Sequence, residues 1–237
     1  MFRRSLLRFA LVAFLIPAAT HAASLTINNP SFELPTTASA TFSGGMTFGP
    51  NGWSVYNAGQ TNDSRYFGVW NPGTTLSYTN GAPHGANVGV VFLINTTNIA
   101  EAGLQQTLGA TLQLSTKYTL TVEVGNFSPA DNGPYNFTGF PGYRVDLLAG
   151  TTLLASDNNT LLPAEGIFET STVSFTSGSS HPNAGQPLTI RLVNLNGLGI
   201  EVNFDVVQLD ASPVPEPSAA LFGAIGILCA SMRRRRA

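Results

Sequence analysis

Cysteine and charge are scarce in this 237-residue chain. Its one cysteine, Cys229, excludes a disulfide-stapled scaffold and any cysteine-rich metal site. Charged residues make up only 10% of the chain against 43% hydrophobic ones, which excludes a disordered polyelectrolyte. Between residues 23 and 213 the only cations are Arg65, Lys117, Arg144 and Arg191, set against twelve carboxylates, so that segment carries −8. An acidic surface repels phosphate, so neither nucleic acid nor an anionic lipid surface is an expected partner of this segment. Catalytic signatures are missing as well. There is no Gly-x-Ser-x-Gly elbow, no His-Glu-x-x-His, no cysteine pair and no phosphate-cradling loop. His84 and His181 lie in loop sequence and read as solvated side chains. Twelve carboxylates leave a glycosidase pair open, but no spacing selects two of them, so no catalytic residue is assigned.

The other basic residues are gathered at the ends. Arg3, Arg4 and Arg8 precede an apolar run over 11–19 and a small-residue site at Thr20-His21-Ala22, the pattern of a secretory signal over residues 1–22 cut by signal peptidase. At the other end, Val214-Pro215-Glu216-Pro217 precedes 15 uncharged residues, 218–232, and then Arg233, Arg234, Arg235 and Arg236. As a helix that run spans about 22 Å, short of a roughly 30 Å hydrocarbon core, so it is a marginal anchor whose arginines stay cytoplasmic. An ordinary tail anchor is the alternative. The ordered tail, with the amino-terminal signal, resembles the PEP-CTERM proteins sorted by exosortases. The resemblance implies that Val214, Pro215, Glu216 and Pro217 are the exosortase recognition motif in segment 214–237. It also implies that the Arg233 to Arg236 cluster retains the chain transiently at the inner membrane, and that the trimmed product reaches the cell surface or the extracellular matrix.

Between the ends the dominant period is two. Tyr118, Leu120, Val122 and Val124 alternate with polar residues, as do Tyr143, Val145 and Leu147, then Leu188, Ile190 and Leu192, and finally Val202, Phe204 and Val206. Further strands are expected at 52–56, 66–70, 87–94, 104–108, 151–155 and 168–176, separated by turns such as Asn51-Gly52, Asn80-Gly81 and Asn196-Gly197. Residues 100–106 hold at most a turn of helix, weakened by Gly103. The expected fold is one all-β domain over 23–213, an antiparallel two-sheet sandwich of jelly-roll type, flanked by the signal and the carboxy-terminal membrane helix.

Asn29-Pro30-Ser31-Phe32-Glu33, Asn51-Gly52-Trp53 and the closing Phe204-Asp205-Val206-Val207-Gln208-Leu209 resemble the carbohydrate-binding jelly rolls of the galactose-binding-like superfamily. Pro30 and Val206 depart from that pattern, standing where a glycine and a second aspartate are usual. The likeness implies a structural calcium held by Glu33 and Asp205, with no cofactor required; otherwise both are exposed or hydrogen-bonded strand-end carboxylates. Sugar binding needs aromatic faces beside polar side chains, which Tyr56, Tyr66 and Trp70 supply among Asn57, Gln60, Asn62, Asp63, Arg65 and Asn71. Trp53, on a strand, is expected in the core. The function expected from these features is a non-enzymatic, exosortase-processed envelope or matrix protein bound to exopolysaccharide in a biofilm. The alternatives are a matrix protein making protein contacts only, and a carbohydrate-active enzyme.

Overall fold

The computed structural model describes residues 22–57, 65–73, 77–94, 101–129, 137–196 and 200–214. They form twelve strands: β1 (Ala23–Ser24), β2 (Thr41–Gly45), β3 (Ser54–Tyr56), β4 (Arg65–Asn71), β5 (Val88–Leu93), β6 (Ala102–Thr111), β7 (Thr116–Asn126), β8 (Tyr143–Ala149), β9 (Thr152–Asn158), β10 (Ile167–Thr176), β11 (Pro187–Asn194) and β12 (Glu201–Pro213). Two antiparallel sheets result. One has seven strands in the order β10-β7-β12-β5-β4-β2 with β1 on β12, and the other has five in the order β3-β6-β11-β8-β9. The expected antiparallel two-sheet sandwich is therefore observed.

The alternating sets on β7, β8 and β11 all face the space between the sheets and are buried there. Each such Val, Leu or Phe contributes about 1.5–3 kcal/mol by leaving water. Trp53 joins this core, its ring stacked 5.3 Å from Phe32. Residues 102–106 are strand rather than helix, because β6 lies between β3 and β11 and its backbone is claimed on both edges. Alternation did not mark β1, which is two residues long, or β2, whose Thr-Phe-Ser-Gly-Gly has little strand propensity.

The long strand β12 changes phase midway. Val202 and Phe204 face the core, a bulge falls between Asp205 and Gln208, and Val207 and Leu209 then return to the core. Val206 does not continue the buried face as its spacing suggested. It takes φ +47°, a left-handed value costly for a β-branched residue. The kink is tied on both sides: Val206 N–H donates to Asp205 Oδ1 at 2.7 Å, and Val207 N–H to the Pro30 carbonyl at 2.9 Å.

The two sheets are also joined by one buried carboxylate. Asp157 on β9 accepts hydrogen bonds from Tyr143 of β8 at 2.5 Å, from Ser171 of β10 at 2.6 Å, and from the Thr160 hydroxyl at 2.7 Å. Residues 1–21, Pro215, Glu216, Pro217, the run 218–232, Cys229 and the Arg233 to Arg236 cluster lie outside the described residues. Val214 is described, and its N–H donates to the Ser115 carbonyl at 2.7 Å. Among the described residues no helix is long and apolar enough to cross a membrane.

Candidate active site

Pairing register decides what the seven-stranded sheet carries on its outer face. With Phe67, Val69, Val91, Val202 and Phe204 turned to the core, the alternate positions Tyr66, Trp70, Val88, Val90, Phe92, Gly125, Phe168, Glu201 and Asn203 point the other way. This face is not wet. Val88, Val90 and Phe92 are buried, and the segment 77–87 lays Tyr78 across it with only 1% of its surface exposed. Aromatic rings run over the face in series: Phe42 to Tyr66 at 6.4 Å, Tyr66 to Phe92 at 5.7 Å, Phe92 to Phe137 at 6.0 Å, and Phe137 to Phe127 at 4.4 Å. Trp70 lies 5.0 Å from Phe127 and 6.3 Å from Tyr78, whose ring is 4.3 Å from Phe168.

Gly125 makes room for this arrangement. A Cβ there would stand 2.4 Å from the Phe168 ring and 2.6 Å from the Tyr78 hydroxyl.

Among the described residues one acid stands within the aromatic face. Glu201 pairs with Phe92 of β5, and its other neighbour in register is the position after Asn126, which is Phe127. Burial among these groups raises its pKa to about 7, opposed by the hydrogen bond from Asn203. Asn203 Nδ2 donates to Glu201 Oε1 at 2.8 Å, while the Tyr78 hydroxyl donates to Asn203 Oδ1 at 2.6 Å. Burial, and secondarily the charge of Glu201, holds the Tyr78 hydroxyl well above its ordinary pKa, so it stays a neutral donor. A carboxyl group that is half protonated near neutrality, set in an apolar aromatic wall, can hand a proton to an organic substrate and take one back.

Glu33 and Asp205 are brought together at the other end of the same loop. Glu33 Oε1 accepts from Ala86 N–H and Asn87 N–H at 3.0 Å each, and Asp205 Oδ2 from His84 N–H at 2.9 Å. Burial raises the Asp205 pKa to about 7, and the nearby Glu33 and Glu123 charges push the same way against the backbone donors. Asn87 Nδ2 donates to the carbonyls of Phe32 and Pro35, leaving its buried Oδ1 without a donor among the described residues. Two carboxylates and an orphaned amide oxygen are the oxygen-only donors that a calcium ion takes. Among the described residues no group of three or more His, Cys, Asp or Glu gathers, so carbonyls or water would have to complete such a site.

The aromatic residues singled out from sequence are divided. Tyr66 and Trp70 lie on the outer face of the seven-stranded sheet, whereas Tyr56 lies on β3 of the other sheet. There the Arg191 guanidinium sits 4.4 Å above the Tyr56 ring, and Arg144 pairs with Glu101 at 2.6 Å nearby. Tyr56 therefore shares no site with the other two.

Residues 23–210 match the family model described as HpiC1-like, HpiC1 cyclase. The chain belongs to the HpiC1-like cyclase family. Solved cyclases agree with this membership. An apo cyclase from Fischerella sp. is 39% identical with a TM-score of 0.75, over 82% of this chain and 98% of that one. The Stig cyclase Fisc from Fischerella sp. TAU, in complex with (3Z)-3-(1-methyl-2-pyrrolidinylidene)-3H-indole, is 40% identical with a TM-score of 0.75, over 82% of this chain and 100% of that one. A cyclase from Fischerella sp. TAU in complex with 4-(1H-indol-3-yl)butan-2-one is 39% identical with a TM-score of 0.74, over 82% and 100%. No curated protein matches the chain.

Membership in a cyclase family corrects the functional expectation drawn from the tail and from the jelly-roll motifs. The chain is a cyclase, an enzyme, and neither a PEP-CTERM matrix protein nor a carbohydrate-binding or carbohydrate-active one. The exosortase and polysaccharide partners fall with that expectation, since a cyclase takes a small-molecule substrate. The physical reason lies in the aromatic residues. In this cyclase the rings pack on one another beneath a loop and enclose an acid, whereas a sugar platform presents them flat and open. The residues that sequence reasoning passed over are Glu201, Asn203, Tyr78, Phe127 and Phe168. A signal for them was present in Val88-Gly-Val-Val-Phe-Leu of β5, an unbroken apolar run that marks a strand covered on both faces.

Proposed function

We propose that this cyclase closes a ring on an indole-bearing small molecule, with Glu201 as the proton donor. The observation that carries the reading is an acid of pKa about 7 enclosed by aromatic rings on one face of the sheet, in a chain whose solved relatives hold indole compounds. Glu201 gives its proton to an unsaturated side chain of the substrate and creates a cation. A nucleophilic carbon of the same molecule captures that cation to form the new ring bond, and loss of a proton to the Glu201 carboxylate restores the acid. Product and substrate have the same mass. Trp70 and Phe168, the half-buried rings of this face, stack on the planar substrate and stabilise the passing cation through their ring faces, each such contact contributing about 0.5–2 kcal/mol.

Glu33, Asp205 and Asn87 are the residues that would hold a calcium ion, which would supply the positive charge that sets the 84–87 turn against β12. No proton step is assigned to that pair.

The test is conversion of a panel of indoles with unsaturated side chains, followed by chromatography for a product of unchanged mass. E201Q is expected to lose at least about a hundredfold in turnover. It is also expected to bind 4-(1H-indol-3-yl)butan-2-one, the compound held by a solved relative, as the unaltered enzyme does. Turnover by E201Q at the unaltered rate would exclude Glu201 as the acid.

A further inference from the structure

Glu201 does not stand free in the aromatic wall; its carboxyl is held by an amide that is itself held. Asn203 is completely buried, and three partners converge on its side chain. Its Nδ2 faces two acceptors, Glu201 Oε1 at 2.8 Å and the Gly89 carbonyl at 3.3 Å. Its Oδ1 receives the Tyr78 hydroxyl at 2.6 Å. Turning the amide over would set its oxygen against a carbonyl and a carboxyl oxygen, so this orientation is fixed by its surroundings. Tyr78 is fixed in turn, being 1% exposed, with its ring 4.3 Å from Phe168 and its hydroxyl over Gly125.

We propose that Asn203, locked by Tyr78, is a positioning residue that keeps Glu201 Oε1 as a hydrogen-bond acceptor, so that the carboxyl proton resides on Oε2 and is delivered from there. This rests on the reading of Glu201 as the proton donor and adds which oxygen acts and what aims it. The carbonyl oxygen is the better acceptor of the two oxygens of a neutral carboxyl group, so the bond from Nδ2 to Oε1 favours the proton on Oε2. Oε2 accepts no hydrogen bond from the described residues, and Glu201 keeps 8% of its surface open. Among the described residues the groups facing it are few. Tyr78 comes from the covering loop and Asn203 from its own strand. Phe92 of β5 and Phe127 beyond β7 flank it without charge, and Tyr66 stands behind Phe92. The same amide N–H favours the ionised carboxyl, so it restrains the rise in pKa that burial causes.

The positioning role is read directly by infrared difference spectroscopy of the full-length protein. Subtracting the E201Q spectrum isolates the Glu201 carboxylic C=O band, which is then titrated against pH. The unaltered enzyme is expected to show a midpoint near 7. N203L is expected to raise that midpoint by about one pH unit and to lower kcat by about tenfold or more, with KM within about threefold. Y78F, which frees the amide but leaves the packing, is expected to shift both in the same direction by less. It carries the test by itself where N203L does not fold. In the E201Q background N203L should cost nothing further. An unmoved midpoint in both variants, or a full additional loss in the E201Q background, overturns the positioning role. Unaltered turnover by E201Q is a separate result that overturns the acid reading beneath it.

Discussion

Replacing Gly125 by alanine tests whether the site is as tightly built as the distances require. The new methyl would lie 2.4 and 2.6 Å from two carbons of the Phe168 ring and 2.6 Å from the Tyr78 hydroxyl. Carbon atoms in contact rest about 3.5–4.0 Å apart, so the ring must retreat by about 1 Å or more. Half-buried Phe168 can swing outward. Tyr78 cannot move without leaving Asn203, to which it is bonded at 2.6 Å. Overpacking costs about 1–3 kcal/mol and loss of that hydrogen bond about 1 kcal/mol, for a total of about 2–4 kcal/mol. In a domain of this size that lowers Tm by about 5–15 °C. Thermal unfolding followed by circular dichroism reads the shift. G109A is the matched control, since nothing lies within 4 Å of a Cβ at Gly109 on the other sheet, and its Tm should stay level or rise slightly. A G125A protein melting within about 2 °C of the unaltered one, with unaltered turnover, would refute the proposed crowding.

The tie at Asp157 gives a second expectation. D157N turns one accepting oxygen into a donor facing hydroxyl groups, and should cost about 2–4 kcal/mol in urea unfolding, whereas no change would show that the tie is not structural. Burial pushes the Asp157 pKa up, but the hydrogen bonds from Ser171, Tyr143 and Thr160 outweigh it and hold the carboxyl below its ordinary value. Its contribution is therefore present above the unfolded pKa near 4 and is lost as pH falls below it. Glu201 has the opposite sign. Its folded pKa of about 7 lies above the unfolded value, so the folded state binds the extra proton and its stability rises as pH falls from 8 through 7 toward 5. Tm measured over that range should climb less in E201Q, and an identical slope would contradict the buried placement of the acid. Chelation with EGTA should lower Tm, and added calcium should restore it, if Glu33, Asp205 and Asn87 hold the ion; a Tm indifferent to chelator counts against that seat.

Much of the sandwich can be read from period two. Tyr118 to Val124 and Leu188 to Leu192 alternate because one side of each strand meets the other sheet, and the same alternation places Glu201 and Asn203 opposite Val202 and Phe204. What alternation does not state is whether the opposite face is wet. Tyr78 is far from Glu201 in sequence, and only the fold of the 77–87 segment closes it over that face, so the acid reads as an ordinary solvated carboxylate until the cover is seen. Local density of aromatic residues misleads for a related reason. Tyr56 and Tyr66 are near neighbours in the chain, yet β3 and β4 belong to different sheets. Glu33 and Asp205 were legible as a pair through the motifs at the first and last strands, and the structure does bring them to one turn, although each is engaged with backbone N–H groups.

β12 lies inside its sheet, hydrogen-bonded to β7 on one edge and β5 on the other, and it carries both Glu201 and Asn203. During synthesis it emerges after every other described strand, so the earlier strands must wait with a gap at the centre of their sheet. A ribosome that stops short of residue 201 would release a chain whose seven-stranded sheet lacks an interior strand and with it Glu201. On the reading of Glu201 as the acid, completion of the sheet and acquisition of chemistry thus coincide in the same thirteen-residue segment, Glu201–Pro213.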